Sequence, residues 1–286
     1  DALGGVLKNA DKIKSINDQS ADEWLEKTER LIRNSNNIKI LKNTLVTTYN
    51  FSDHLIALED KNVGKPQDNE KSELVLHKIR TKHTILANGH IERFITFRNN
   101  DLPGVMLAAS FEKYLNRYGV VPDESPVIFT NNSSTFSLLK SLTDLGHKPK
   151  AYVDIRDQKN IEKETLDLLE KFNIPFYPKS EVEGCEGQKE VKKVSIRTKK
   201  NQITKIKTSM LCVSGGFNPD IHLFTQSKGL LKWDKDYLTF KPDRIFQKTI
   251  TLGSVSGNFS YEKLLVEVEK KLSAFQGLNE LEVKFE

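Results

Sequence analysis

Residues Thr84 to Ala108 read TILANGHIERFITFRNNDLPGVMLA, and the fold turns on how they are read. Thr84-Ile85-Leu86-Ala87 is a short apolar run of the buried-strand kind, and Asn88-Gly89 breaks it. Paired charges at Glu92-Arg93 and a polar cluster at Arg98-Asn99-Asn100-Asp101 follow. Pro103-Gly104 predicts the opening of an amphipathic helix to Tyr118, with Val105, Met106, Ala109, Tyr114 and Leu115 toward the core and Gly119 as its stop. Strand, glycine turn, polar loop and helix start is how a mostly parallel sheet presents a ligand at its carboxyl edge. The same order also suits an ordinary strand-to-helix connection, because a single glycine turn is a short motif.

Downstream, Pro126–Thr130 reads as a strand, with Ser133 capping a helix to Leu145-Gly146. Lys150–Ile155 is the next strand, Asn160 caps a helix to Phe172, and Ile174–Tyr177 is a further strand. This βαβαβ order at its usual spacing is one nucleotide-binding half of a doubly wound α/β sheet. Its first turn, Thr130-Asn131-Asn132-Ser133-Ser134, lacks the G-x-G-x-x-G glycines. Helix N-terminal amides and short hydroxyls can still meet a phosphate, but the backbone cannot approach a pyrophosphate as closely, so the unit reads as structural or weakly binding. Asp154 falls where a ribose-binding acid would sit, and equally where a solvated strand end would.

Glu190–Lys207 alternates around Lys199-Lys200-Asn201 as an antiparallel hairpin, then feeds the buried strand Ser209–Ser214 and the turn Gly215-Gly216-Phe217-Asn218-Pro219. Upstream of the opening stretch, Leu45–Tyr49, His54–Glu59 and Glu73–Arg80 read as strands, with a polar loop at Lys61–Ser72. Antiparallel β, a buried strand and a glycine turn therefore occur twice. Thr249–Leu252, a glycine-bounded loop at Gly253–Gly257 and a helix Tyr261–Phe275 capped by Ser260 form a third candidate ligand edge. Near the start, Ser20 and Glu23 make a capping box for a helix to about Asn34, and Ile38–Leu41 reads as a short strand. Asp220 reads as the cap of a short helix through Phe224, and Leu230–Phe240 as β structure. Gly4-Gly5 suits either close backbone approach or a frayed end.

At 286 residues the chain is long for one core and comfortable for two lobes. Hydrophobic residues make up 37% and charged residues 29%, as in globular proteins, and no apolar run is long enough for a membrane span. The net charge of +5 is spread over helix faces, which argues against nucleic acid as a partner. Cys185 and Cys212 fit no metal or redox motif, and Cys212 reads as a buried small hydrophobe. Few cysteines and no leader point to the cytoplasm, and a first residue Asp1 points to a processed chain or a piece of a longer one.

Three stretches carry a family resemblance. ANGHIERFITFRNNDLPGVMLAASFEKYLNRYG, residues 87–119, resembles A-T-G-A-x-E-R-P, then N-N-D-R-P-G-V-M-L-A, then Y-L-N-R-Y-G of the alpha subunit of heterotetrameric sarcosine oxidase. VSGGFNPDIHLFTQSKGLLKWD, residues 213–234, resembles that family's G-G-x-N-P-x-x-H-L-x-x-Q-x-x-G-x-x-x-W-D, and ALGGVL, residues 2–7, its early G-G-x-L. The resemblance implies a pyridine-nucleotide-disulfide-reductase-like α/β fold. A dinucleotide-binding domain (1–100 and 210–286) would be interrupted by a smaller Rossmann-like domain (101–208), with the first βαβ missing ahead of Asp1.

It further implies NAD in this domain, and FAD or FMN held mainly with a beta-like flavin subunit, alongside smaller subunits. The activity implied is oxidative demethylation of sarcosine, a CH–NH donor, to glycine, formaldehyde or methylenetetrahydrofolate, and hydrogen peroxide. A subunit of a related amine, opine or proline dehydrogenase, or an inert truncated scaffold, is the alternative. Carried over by position, the cofactor-binding residues implied are Gly4, Gly5, Val46, Ala87, Asn88, Gly89, Gly215, Gly216, Phe217, Asn218 and Gly253. Asn88 replaces the motif's Thr, Phe94 its Pro, and Ser254 the acid that usually follows the last glycine. No catalytic acid, base or nucleophile and no metal site is expected, and the six histidines show no ligand spacing.

Overall fold

The computed structural model describes residues 3–8, 16, 19–63, 73–259, 264, 266–268, 270 and 271. The Ser260 cap, most of the helix expected at Tyr261–Phe275 and most of the Lys61–Ser72 loop lie outside the described residues. In chain order the elements are α1 (Ala21–Asn34), β1 (Thr44–Asn50), β2 (His54–Asp60), β3 (Leu74–Arg80), β4 (Thr84–Leu86), β5 (His90–Glu92), β6 (Val105–Leu107) and α2 (Ala108–Tyr118). There follow β7 (Val127–Thr130), α3 (Phe136–Asp144), β8 (Ala151–Asp154), α4 (Lys163–Lys171), β9 (Phe176–Pro178), β10 (Glu181–Glu186), β11 (Lys193–Arg197) and β12 (Ile203–Lys207). The chain continues through β13 (Leu211–Ser214), β14 (Phe217–Pro219), α5 (His222–Gln226), β15 (Leu230–Asp234), β16 (Thr239–Arg244) and β17 (Thr249–Thr251). Contacts divide it into one unit of 1–2, 31–91 and 218–286 and another of 3–30 and 92–217.

In the second unit a five-stranded sheet runs in the order β6-β13-β7-β8-β9, and every pair in it is parallel. Period-two alternation splits its apolar side chains between two cores. Ile128, Tyr152 and Cys212 join Phe111, Leu138 and Leu169 of the helices α2 to α4. Val127, Phe129, Val153, Leu211 and Val213 join Val182, Val194 and Ile196 of the antiparallel layer β10–β12. Covered on both faces, β7, β8 and β13 are buried at every position, which is why they read as continuous apolar runs.

The first unit holds the antiparallel meander β1–β2–β3, the parallel pair β4–β17 and the hairpin β15–β16. Its core gathers Tyr49, Leu55, Leu86 and Phe224, with Val46 and Ile79 against them.

Several local expectations change. Pro103-Gly104 does not open a helix: Val105–Leu107 pairs with Leu211–Val213, and the helix starts at Ala108. The later start turns the helix face, so Ala108, Phe111 and Leu115 are buried while Tyr114 is 48% exposed. Ser133 does not cap α3, whose N-cap is Thr135, and α4 follows Glu162 rather than Asn160. Ile38–Leu41 forms no strand. The capping box does form, with Glu23 N donating to Ser20 Oγ (3.2 Å) and Ser20 N to Glu23 Oε2 (3.1 Å).

Candidate functional site

In the first unit, β17 lies parallel to β4 in the register Thr249↔Thr84 to Thr251↔Leu86, so both strands end side by side. The pairing runs one step further, with Leu252 N donating to Leu86 O at 2.9 Å. Ala87-Asn88-Gly89 and Gly253 therefore follow from neighbouring strand ends. Gly89 has φ 91°, and a Cβ added there would meet nothing within 4 Å, so the space above the turn is open. Asn88 Nδ2 donates to Asp220 O at 2.6 Å, and Asp220 N returns a bond to Gly89 O at 3.1 Å. The amide that replaces the motif's Thr thus braces the turn.

Beside Gly253, Ser254 Oγ bonds His90 Nδ1 at 2.9 Å. The His90 ring meets Phe259 edge-on at 5.9 Å. Burial holds the His90 imidazole below its usual pKa, which favours the neutral ring. Val46 packs in the core at a register shift of β1, and Asn218 Oδ1 accepts from Thr239 Oγ1 at 2.9 Å.

Gly4, Gly5, Gly215, Gly216 and Phe217 belong to the second unit. Gly4 O accepts from Leu7 N at 3.0 Å as the chain enters the turn Gly5–Lys8. Gly215 N donates to Arg93 O and Arg93 N to Gly216 O, each at 2.7 Å, and half-buried Phe217 follows. The glycine pair therefore lies against Arg93.

A dinucleotide in this unit would meet the loop after β7 and the end of β8. That loop bonds partly to itself and partly to Ser214 of β13. Asn132 N donates to Thr130 Oγ1 (3.1 Å), Ser134 N to Asn132 Oδ1 (2.9 Å), and Asn132 Nδ2 to Ser214 O (3.0 Å). Arg156 reaches Ser133 Oγ at 2.9 Å and grips Asp154 through Nε–Oδ1 (3.1 Å) and NH2–Oδ2 (2.9 Å). Burial raises the fully buried Asp154 carboxyl above its usual pKa, and the Arg156 hydrogen bonds oppose that rise. Two of the loop amides and the Asp154 carboxylate are thus engaged, and without the motif glycines the loop is a poor fit for a pyrophosphate. Sequence reasoning missed Arg156 and Asn132. Their bonds to Thr130, Ser134 and Asp154 span only two residues, and only the Asn132–Ser214 bond, 82 positions apart, lay beyond local sequence.

Both cysteines are fully buried, and burial pushes the Cys185 thiol up to about 11 and the Cys212 thiol well above its usual range. Neither is a nucleophile in the folded chain. Among the described residues no group of three His, Cys, Asp or Glu side chains could hold a metal, and no helix is long and apolar enough to cross a membrane.

The parallel sheets and glycine-turn edges define a class. The fold is the disulfide-reductase-like dinucleotide-binding fold: thioredoxin reductase of T. acidophilum is similar with TM-score 0.64 at 15% identity, over 93% of this chain and 84% of that one. L-proline dehydrogenase of P. horikoshii is similar with TM-score 0.58 at 20% identity, over 89% of this chain and 44% of that one. In sequence the chain resembles sarcosine oxidase subunit alpha of Corynebacterium sp. (strain U-96), 29% identical over 89% of this chain. The same-named subunit of Rhizobium meliloti (strain 1021) is 29% identical over 79% of it. The chain spans about a quarter of these relatives' length, 27% and 22%. No family model matches it.

Proposed function

We propose that the chain is the dinucleotide-holding part of an oxidoreductase subunit of the sarcosine oxidase alpha type. It takes one dinucleotide, NAD, at the carboxyl ends of β4 and β17. The pairing of these two strands carries the reading, because it sets the open turn at Gly89 beside Gly253. Ala87, Asn88, Gly89 and Gly253 would hold the nucleotide, with the neutral His90 and its Ser254 partner at the rim. A nicotinamide dinucleotide, when bound, supplies a hydride-accepting ring. This chain's part is to bind and orient it, with no acid or base of its own in the chemistry. The flavin, FAD or FMN, and the demethylation of sarcosine or a related CH–NH donor belong to the assembled enzyme, with a beta-like flavin subunit and smaller subunits as partners.

The test is bound nucleotide. The purified chain is denatured and the supernatant assayed for NAD and flavin. One NAD per chain is expected. Gly89→Val, which fills the space over the turn, is expected to release it. An empty protein would instead support the inert-scaffold reading, which the engaged loop of the second unit favours for that unit.

A further inference from the structure

At the amino-terminal ends of β4 and β17, opposite the proposed nucleotide edge, three turns of the first unit meet around an open cleft of about 390 Å³. Phe51 and Asp53 come from the β1–β2 turn, Lys82 from the β3–β4 turn, and Phe246, Gln247 and Lys248 precede β17. The walls are interlocked. Asp53 N donates to Gln247 Oε1 at 2.7 Å, Thr81 N to Asp53 O at 3.0 Å, and Thr84 N to Lys248 O at 3.0 Å.

The chemistry of the lining is one-sided. Neither Lys82 nor Lys248 has an ion-pair partner among the described residues, and the Lys228 ammonium lies 4.7 Å from the Phe51 ring centre. Asp53 supplies the one carboxylate among the described lining residues. Gln247 Nε2 is buried and has no acceptor among the described residues, which is a costly state for an amide. Phe51 is 51% and Phe246 72% exposed, so two rings stand at the mouth of the cleft. Exposed cations beside exposed rings suit an anionic oxygen group on a flat apolar body. The volume is in the range of small-molecule sites.

We propose that this cleft binds a small aromatic carboxylate or phosphate. Its anionic group meets Lys82 and Lys248, and its ring packs against Phe51 and Phe246. The site is independent of the nucleotide edge, since it lies at the other end of the same two strands.

Titration calorimetry of the whole 286-residue chain with phenyl phosphate and, separately, with benzoate and inorganic phosphate tests it. Saturable binding of at least one aromatic probe is expected, tighter than that of inorganic phosphate. Lys82→Ala combined with Lys248→Ala, and separately Phe246→Ala, should each weaken it about tenfold or more. These side chains are exposed, so the variants keep their fold, which far-UV circular dichroism checks. Gly89→Val should leave the binding unchanged, which separates this site from the nucleotide edge. Absence of saturable binding overturns the proposal, as does binding indifferent to the lysine and Phe246 variants. Loss of the binding in Gly89→Val would likewise assign it to the other edge.

Discussion

Asp154 and Arg156 show how one side chain can decide whether a nucleotide edge is open. The carboxylate is fully buried and the guanidinium 20% exposed, so the aspartate depends on its partner more than the arginine does. Removing the arginine leaves a buried charge without a counterion. Arg156→Leu is expected to cost about 3 kcal/mol in urea unfolding at pH 7, and Asp154→Asn about 1 kcal/mol. The pH dependence has a definite sign. Burial raises Asp154 above its unfolded value. Its favourable contribution is therefore fully present below the unfolded carboxyl range and is lost as pH rises through the raised folded value. Without Arg156 that rise grows, so the deficit of Arg156→Leu should be larger at pH 7 than at pH 4. The thiols make a second prediction. Cys185 and Cys212 are both fully buried with raised pKa values. A colorimetric disulfide reagent at pH 8 should label neither in the native chain and both in denaturant. Burial of Cys212 was legible from the apolar run around it. The Asp154–Arg156 pair is local, two residues apart, so what neighbouring sequence could not show is that β8 buries Asp154 fully and that Arg156 also reaches Ser133, 23 positions away.

Among the elements, β6 is the instructive case. Pro-Gly before an amphipathic run is a helix-opening pattern, and local preference alone favoured a helix from Pro103. The sheet overrode it. Leu211 N donates to Gly104 O at 2.8 Å, and the next three residues join the ladder with β13. Gly104 has φ 103°, and a Cβ there would overlap the Ser209 carbonyl oxygen. Gly104→Ala is thus expected to destabilise the second unit by on the order of 2 kcal/mol or more, read as a lowered urea midpoint. By contrast, the capping box at Ser20 and Glu23 was readable from four adjacent residues, because both of its hydrogen bonds are local. The hairpin β11–β12 was also readable, since its alternation spans neighbouring strands joined by a short turn.

For the whole molecule, the parallel pair β4–β17 is the exposed point. Parallel strands are ordinarily covered on both faces, yet Ile85 in the middle of β4 is 45% exposed, as are Leu45 at 67% and Leu76 at 56% on the meander. The register sets Leu45 opposite Leu58 and Leu58 opposite Leu76, so those leucines form one row across three strands. The purified chain is expected to self-associate and to bind a hydrophobic dye. Replacing Leu45 and Leu76 with threonine should reduce both, as read by light scattering and dye fluorescence, without loss of secondary structure.

What the sequence by itself determined was most of the order of strands and helices, the buried character of the three central strands, and the glycine turns after β4, β13 and β17. These are properties of neighbouring residues, carried by period and turn chemistry. The tertiary structure decided which strand ends lie together: β4 with β17, and β7 with β8 and β13. It also decided that the loop after β7 is tied to Ser214 at the end of β13, and that three turns distant in sequence share a cleft. Those outcomes rest on sheet register, and register is settled by which apolar faces can be buried together.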